Sequence, residues 1–270
     1  MAGRISRPTD SPALVHRETD RATDRAGSVS PEAAPTEPFS VPPSELPRHI
    51  AIIMDGNRRW AKSRGLSEME GHAAGVEAIR EIIRHCVRRG IEVLSLYAFS
   101  RENWARSDEE VGYLFFLLDK VIRNETDELK AQGARVRVLG RMEELPEENR
   151  VSIQQALDAT SGGRRLLLNI AFNYSGRTEL VDAARALVAR GVASAAIDED
   201  AVAGSLYTAG QPDPDIVIRT GGDQRLSNFL IWQAAYAEIY FCPILWPDFD
   251  PAALDEALIE FAGRQRRYGR

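Results

Sequence analysis

A run of five apolar residues, Ile50 to Met54, passes directly into Asp55-Gly-Asn-Arg-Arg-Trp60. That junction constrains the chain more than any other stretch. Unbroken apolar runs of this length are those of strands buried on both faces, as in a parallel sheet. Asp55 then falls at the strand's carboxyl end, the edge where open α/β sheets hold ligands. Gly56 permits close backbone approach, and Arg58 and Arg59 bring positive charge to the same spot. An Asp-Gly hairpin turn is the competing reading, but Arg58 to Lys62 does not read as a returning strand and suits the start of a helix. The segment predicts a phosphate-handling site with a carboxylate available to a metal.

The rest of the chain supports a parallel sheet. Apolar positions at helical spacing predict a helix over 71–89, stopped by Gly90. Ile91 to Phe99 reads as a strand, and Ser107 with Glu110 as a capping box opening a helix to about Gln132. Further strands are expected at Arg135–Leu139, Arg164–Phe172, Asp215–Ile218 and Glu238–Phe241. Helices are expected at Pro146–Thr160, up to Arg190 after Arg177, near Glu199–Tyr207, and at Pro251–Gln265. Strands alternating with helices predict one α/β domain: a mostly parallel sheet of about six strands flanked by helices. That domain is expected over residues 45–270. Residues 1–44, rich in Pro, Ser, Thr and mixed charge, predict a disordered tail.

Composition narrows the function. The 270 residues carry a net charge of −6, which argues against a nucleic-acid surface, so any anion must be held by a local arginine cluster. Two cysteines without metal-type spacing suit a reducing cytosol, and a cytoplasmic location is expected. No apolar run reaches the 18 or so residues of a membrane span.

Four polar clusters follow predicted strand ends: 55–60, 100–106, 173–177 and 219–227. In a parallel sheet these ends share one edge, so the clusters converge there. Arginines, hydroxyls and glycine-rich backbone suit phosphate oxygens. No P-loop, dinucleotide fingerprint or nucleophile elbow is present.

The stretches His49–Lys62, Gly71-His-Ala-Ala-Gly75, Leu94–Val111, Leu168–Arg177, Asp213–Phe241 and Trp246-Pro-Asp-Phe249 resemble, in order, the cis-prenyltransferases (isoprenyl transferases, the undecaprenyl diphosphate synthase family). The resemblance covers nearly everything from residue 47 onward. It implies a hydrophobic tunnel, Mg²⁺ as cofactor, and condensation of isopentenyl diphosphate with an allylic diphosphate. The implied product is a medium- or long-chain (Z)-polyprenyl diphosphate, with release of pyrophosphate. It implies a homodimer, in which Arg267-Tyr-Gly269 reaches across the interface, and peripheral membrane contact through the lipid product.

Residue by residue, the resemblance makes Asp55 the metal carboxylate and Glu238 a second one. Gly56, Asn57, Arg58, Arg59 and His72 match the allylic diphosphate pocket, and Trp60 a substrate contact. Arg219, Arg225, Leu226 and Ser227 match the isopentenyl diphosphate pocket. Ser100, Glu102, Asn103, Trp104 and Arg106 lie beside the reacting carbons. Asn103 is the position assigned to proton removal, with a diphosphate oxygen as rival. Ala98 stands where small residues leave the tunnel open, although Tyr113, Phe115 and Phe116 narrow it if they face inward.

One departure is plain. Glu68 occupies the place of an arginine that contacts the allylic diphosphate, and it is expected to face the site or to turn outward and pair with Arg64. Short-chain or irregular coupling is therefore the rival enzyme reading. A non-catalytic partner subunit is the rival from another class, but such subunits lose the metal aspartate that this chain keeps as Asp55.

Overall fold

The structure is a computed structural model that describes residues 39–264. Most of the expected tail and the Arg267-Tyr-Gly269 motif lie outside the described residues.

Six strands form one sheet: β1 His49–Ile53, β2 Val93–Ser100, β3 Ala134–Leu139, β4 Leu166–Tyr174, β5 Ile216–Arg219 and β6 Glu238–Phe241. Their order is β3-β4-β2-β1-β5-β6, and each neighbouring pair is parallel. β1 lies inside the sheet, with β2 on one side and β5 on the other, and all five of its residues are buried. The unbroken apolar run of the sequence is thus a strand covered on both faces.

The helices are α1 Asn57–Ser63, α2 Glu68–Arg89, α3 Asp108–Ala131, α4 Glu147–Thr160, α5 Gly176–Ala189, α6 Glu199–Ala203 and α7 Pro251–Gly263. α2 begins three residues before the expected Gly71 because Ser67 and Glu70 form a reciprocal capping box, and it ends at Gly90, with φ 76°. Ser107 caps α3 by accepting from Glu110 N–H. The Glu110 carboxylate turns instead to Arg106 and His72, so the expected box is only half formed. α6 stops at Ala203, four residues short of the expected Tyr207.

Side-chain alternation assigns the two faces of the sheet. Ile50, Ile52, Leu94, Leu96, Leu168, Ile216 and Ile218 pack with Ile82 and Cys86 of α2 and Leu254, Leu258 and Phe261 of α7. Ala51, Ile53 and Val217 face the other way, against Phe229, Leu230 and Tyr174. Each fully buried aliphatic side chain contributes about 1.5–3 kcal/mol, so these two layers fix the positions of the strand ends. Phe39, within the stretch read as tail, also packs on the first layer, with the Arg89 guanidinium 3.4 Å from its ring centre.

α2 and α3 run in the same direction, away from the carboxyl edge of the sheet. His72 meets Glu110 near the two helix starts, and Arg84 meets Glu128 further along.

Candidate active site

The junction after β1 is held from several sides before any side chain is considered. Asp55 N–H donates to Thr220 Oγ1 at 2.9 Å, and Asp55 O accepts from the same hydroxyl at 2.7 Å and from Trp246 N–H at 3.0 Å. Gly56 has φ 116°, a conformation that L side chains rarely adopt, and a Cβ there would lie 2.9 Å from Leu245. The chain then enters α1 with Asn57 against α2. Added Cβ atoms at Gly71 and Gly75 would sit 2.4 Å from Asn57 O and 2.5 Å from Asn57 Oδ1. The two glycines one helical turn apart therefore form the groove that admits α1.

The Asp55 carboxylate is clasped by two arginines from different elements. Arg59 Nη2 donates to Oδ1 at 3.0 Å, and Arg219 Nη2 to Oδ2 at 2.7 Å. Burial alone raises the Asp55 carboxyl, but these hydrogen bonds and charges outweigh it and hold the group below its ordinary value. Arg219 ends β5 opposite Ile53 and is 4% exposed. Its other nitrogen, Nη1, donates to Arg225 O at 2.5 Å and to Ser227 Oγ at 2.6 Å. Ser227 and Asn228 both have positive φ, 47° and 64°, and this folds the loop back onto Arg219. Arg225 reaches Asp223 at 2.6 Å, and Leu226 packs into the second layer.

The loop after β2 closes the other flank. Asn103 Oδ1 accepts from Ser100 N–H at 2.9 Å, and the Ser100 side chain accepts in return from Asn103 N–H. Glu102 accepts from Asn228 Nδ2 at 3.0 Å, tying this loop to the loop after β5. Trp104 donates its indole N–H to Asn173 Oδ1 at 2.9 Å and packs edge-on to Phe99. Arg106 donates to Glu110 at 2.7 Å, and Glu110 lies 3.4 Å from His72 Nε2. Burial lowers the His72 pKa against the opposing effect of Glu110, so the imidazole is neutral near pH 7.

Most of the expected residues thus gather at one edge, and the contacts of Trp60, Glu68 and Glu238 add to that picture. Trp60 is directed to Asp248, donating at 2.7 Å, with the Arg64 guanidinium 4.3 Å over its ring. Arg64 itself pairs with Asp248 at 3.0 Å and is not the partner of Glu68. Glu68 pairs with Arg58 at 2.6 Å, so the odd carboxylate neutralises an arginine of the expected allylic pocket. Glu238 is not brought to this edge within the chain. The register sets it beside Ile216, which pairs with Ile50, five residues below Asp55 and therefore about 16 Å away along the strands. There it accepts from Arg264 at 2.9 Å. The sequence reading missed Thr220, although it directly follows Arg219 in a glycine-rich strand end.

A cavity of about 190 Å³ opens from this edge. Asn57, His72, Met54 and Ala98 line its mouth; Val76, Ile79, Ile83, Leu114, Leu117, Leu118, Val121 and Ile122 line its walls between α2, α3 and the sheet. Tyr113, Phe115 and Phe116 do not narrow it. Tyr113 donates to Met69 O, Phe115 packs on Phe99 and Phe172, and Phe116 is 62% exposed.

A hard-oxygen carboxylate at the ligand edge fits Mg²⁺, which takes few protein carboxylates together with substrate phosphate oxygens. Among the described residues no cluster of three His, Cys, Asp or Glu side chains is placed to hold an ion, so the fit rests on Asp55. One buried polar atom at this edge, Arg219 Nε, has no hydrogen-bond partner. That is what a site awaiting a polar ligand shows. Among the described residues no helix is long and apolar enough to cross a membrane.

An arginine-lined sheet edge opening on an apolar cavity defines a class of protein that holds a phosphorylated head and a hydrocarbon tail together. The comparisons specify it. The family described as "Putative undecaprenyl diphosphate synthase" matches residues 53–269. The chain is 46% identical to the isoprenyl transferase of Heliobacterium mobile, over 85% of this chain and 90% of that protein. It is 48% identical to isoprenyl transferase 2 of Bradyrhizobium diazoefficiens, over 84% and 91%. Among solved structures, lavandulyl diphosphate synthase of Lavandula x intermedia, in complex with dimethylallyl diphosphate, is similar at a TM-score of 0.81 and 37% identity. That match covers 84% of this chain and all of the other. The chain belongs to the isoprenyl transferase family.

Proposed function

We propose that this protein is a Mg²⁺-dependent cis-prenyltransferase. It condenses isopentenyl diphosphate with an allylic diphosphate, giving a medium- or long-chain (Z)-polyprenyl diphosphate and pyrophosphate. The observation that carries the reading is the continuity of the site: the cavity mouth at Asn57 and His72 adjoins the arginine-bearing edge, and the walls next to that mouth are aliphatic. An allylic diphosphate laid across this junction places its phosphates on the edge and its hydrocarbon in the cavity.

In the reaction the allylic C–O bond breaks and its electron pair leaves on pyrophosphate. The double-bond electrons of isopentenyl diphosphate form the new C–C bond at C1, and loss of a proton from C2 restores a double bond. Charge builds on the departing oxygens, so preformed positive donors aimed there lower the barrier. Arg59, the backbone from Gly56 and the start of α1 serve the leaving diphosphate. Arg219, Arg225 and Ser227 hold that of isopentenyl diphosphate. Asp55 would hold Mg²⁺, whose chemistry when bound is to neutralise developing diphosphate charge. Asn103 positions the loop, since its oxygen already accepts from Ser100 N–H; a diphosphate oxygen takes the proton.

A second reading has a specific observation behind it. The similarity to a lavandulyl diphosphate synthase that binds dimethylallyl diphosphate supports a short allylic substrate and irregular coupling. Incubation with labelled isopentenyl diphosphate and a panel of allylic primers, read by chromatography of product length, separates the two. Elongated products support the proposal, and coupling of two allylic units without isopentenyl uptake refutes it. Asp55→Ala should lose about 10²–10³ in rate while retaining a native circular dichroism spectrum. The proposal includes a homodimer, peripheral membrane contact through the lipid product, and a cytoplasmic location; the oligomer is tested by light scattering.

A further inference from the structure

The walls of the cavity are not apolar throughout. Arg80 of α2 and Glu125 of α3 both line it and pair across it at 2.5 Å. Glu77 also grips the Arg80 guanidinium from the preceding turn. Glu125 is 9% exposed, and Arg80 Nε is buried with no hydrogen-bond partner. One turn further, Arg84 pairs with Glu128 at 2.6 Å. Past the pair the lining combines apolar Leu129, Val136 and Ala156 with Glu128 and Gln132.

We propose that the Arg80–Glu125 ion pair is the product-length determinant of this enzyme, a polar bar that resists passage of the growing prenyl tail. The inference rests on the prenyltransferase reading above, and a bar this close to the head group favours, within that reading, the short-chain alternative over a medium- or long-chain product. Its position suits the role: Arg80 lies eight residues beyond His72 on α2, about 12 Å from the head-group end at 1.5 Å per residue. A tail shorter than that touches only aliphatic side chains. A longer one must lie against a paired guanidinium and carboxylate, stripping water from both without offering a hydrogen bond, and each further methylene adds to that cost. Since the cavity continues past the pair, the obstacle is chemical and not a lack of room.

The test compares product distributions from labelled isopentenyl diphosphate and a single allylic primer. Replacing a partly buried ion pair by apolar side chains of similar volume is often neutral or stabilising, so Arg80→Met with Glu125→Leu is the first variant. Its product peak should move to longer chains, with the rate of the first condensation unchanged within about twofold. The charge swap, Arg80→Glu with Glu125→Arg, restores a pair and should restore the wild-type length. Glu125→Gln, nearly isosteric, gives a smaller shift in the same direction and serves if the double variant does not fold. An unchanged distribution in folded, active variants overturns the inference, as does equal lengthening by the charge swap, which would indicate volume or helix packing. Failure of the wild type to take up isopentenyl diphosphate would instead overturn the function on which it rests.

Discussion

Glu68 offers the most direct test of how the site's charges are arranged. Its carboxylate is bound to Arg58 at 2.6 Å, with both side chains about half exposed, 48% and 54%. Glu68→Gln removes one negative charge while keeping the shape of the side chain, the Ser67 cap and the Glu70 box. An exposed pair of this kind is worth roughly 0.2–1 kcal/mol of stability, so the fold should persist. The effect on substrate is worked from charge. With two unit charges on the allylic diphosphate at roughly 7 Å and a dielectric near that of water, losing the carboxylate improves binding by about 1.2 kcal/mol before screening. Screening leaves about 0.9 kcal/mol at 0.01 M salt and about 0.5 kcal/mol at 0.15 M. The KM for the allylic primer should therefore fall about fivefold at low salt and about twofold at physiological salt. The KM for isopentenyl diphosphate should stay near its starting value, because its proposed pocket is built on Arg219 and Arg225 and not on Arg58. Steady-state kinetics at the two salt concentrations measures both. No change in primer KM at low salt, or an equal fall in both constants, would refute the argument.

Three further outcomes are expected. Ala98→Leu adds methylenes at the cavity mouth and should shorten the product while the first condensation continues; chromatography showing an unchanged distribution would place residue 98 outside the tail's path. Gly75→Ala would set a methyl 2.5 Å from Asn57 Oδ1; an overpacking cost of about 1–3 kcal/mol should appear in thermal melts, with a raised KM for the primer. His49 is buried between Pro212 O and Ser95 Oγ, and burial lowers its pKa from 6.5 to about 4. The unfolded chain therefore takes up the proton first. This contribution is full above pH 6.5 and is lost as pH falls toward 4, by about 3 kcal/mol in all. Urea midpoints across that window should fall less steeply in His49→Asn than in the wild type, and parallel slopes would count against it.

The sheet was legible because its signals are local: a doubly buried strand needs only an unbroken apolar run, and Gly90 or Ser107 marks a helix end wherever it stands. The arginine-bearing edge was legible for the same reason, since parallel strands place all their carboxyl ends together. Glu238 begins a strand rather than ending one, so its own chain holds it at the opposite edge of the sheet from Asp55, a placement that resemblance, which assigns roles without fixing register, does not supply. The phase of α3 was hidden too. Leu114-Phe-Phe-Leu-Leu118 is apolar on more than one face, so only packing decides that Leu114, Leu117 and Leu118 line the cavity while Phe115 packs on Phe99 and Phe116 lies in solvent. The Glu68–Arg58 pair depends on how the 63–67 turn brings two helix starts together, which no local pattern records.

The glycine groove of α2 has a mechanical side. The helix is 22 residues long, about 33 Å, and one rod carries both the groove that seats Asn57 and the wall formed by Val76, Ile79, Arg80 and Ile83. Asn57 closes on Gly71 through its backbone oxygen and on Gly75 through its side-chain oxygen, which leaves little slack between α1 and α2. An outward tilt of the far half of α2, forced by whatever fills the cavity, would pivot the near half, with His72 on it, against Asn57. Under the proposed function, head and tail of a bound lipid would thereby be levered against each other through a single helix, crowding at one end loosening the grip at the other.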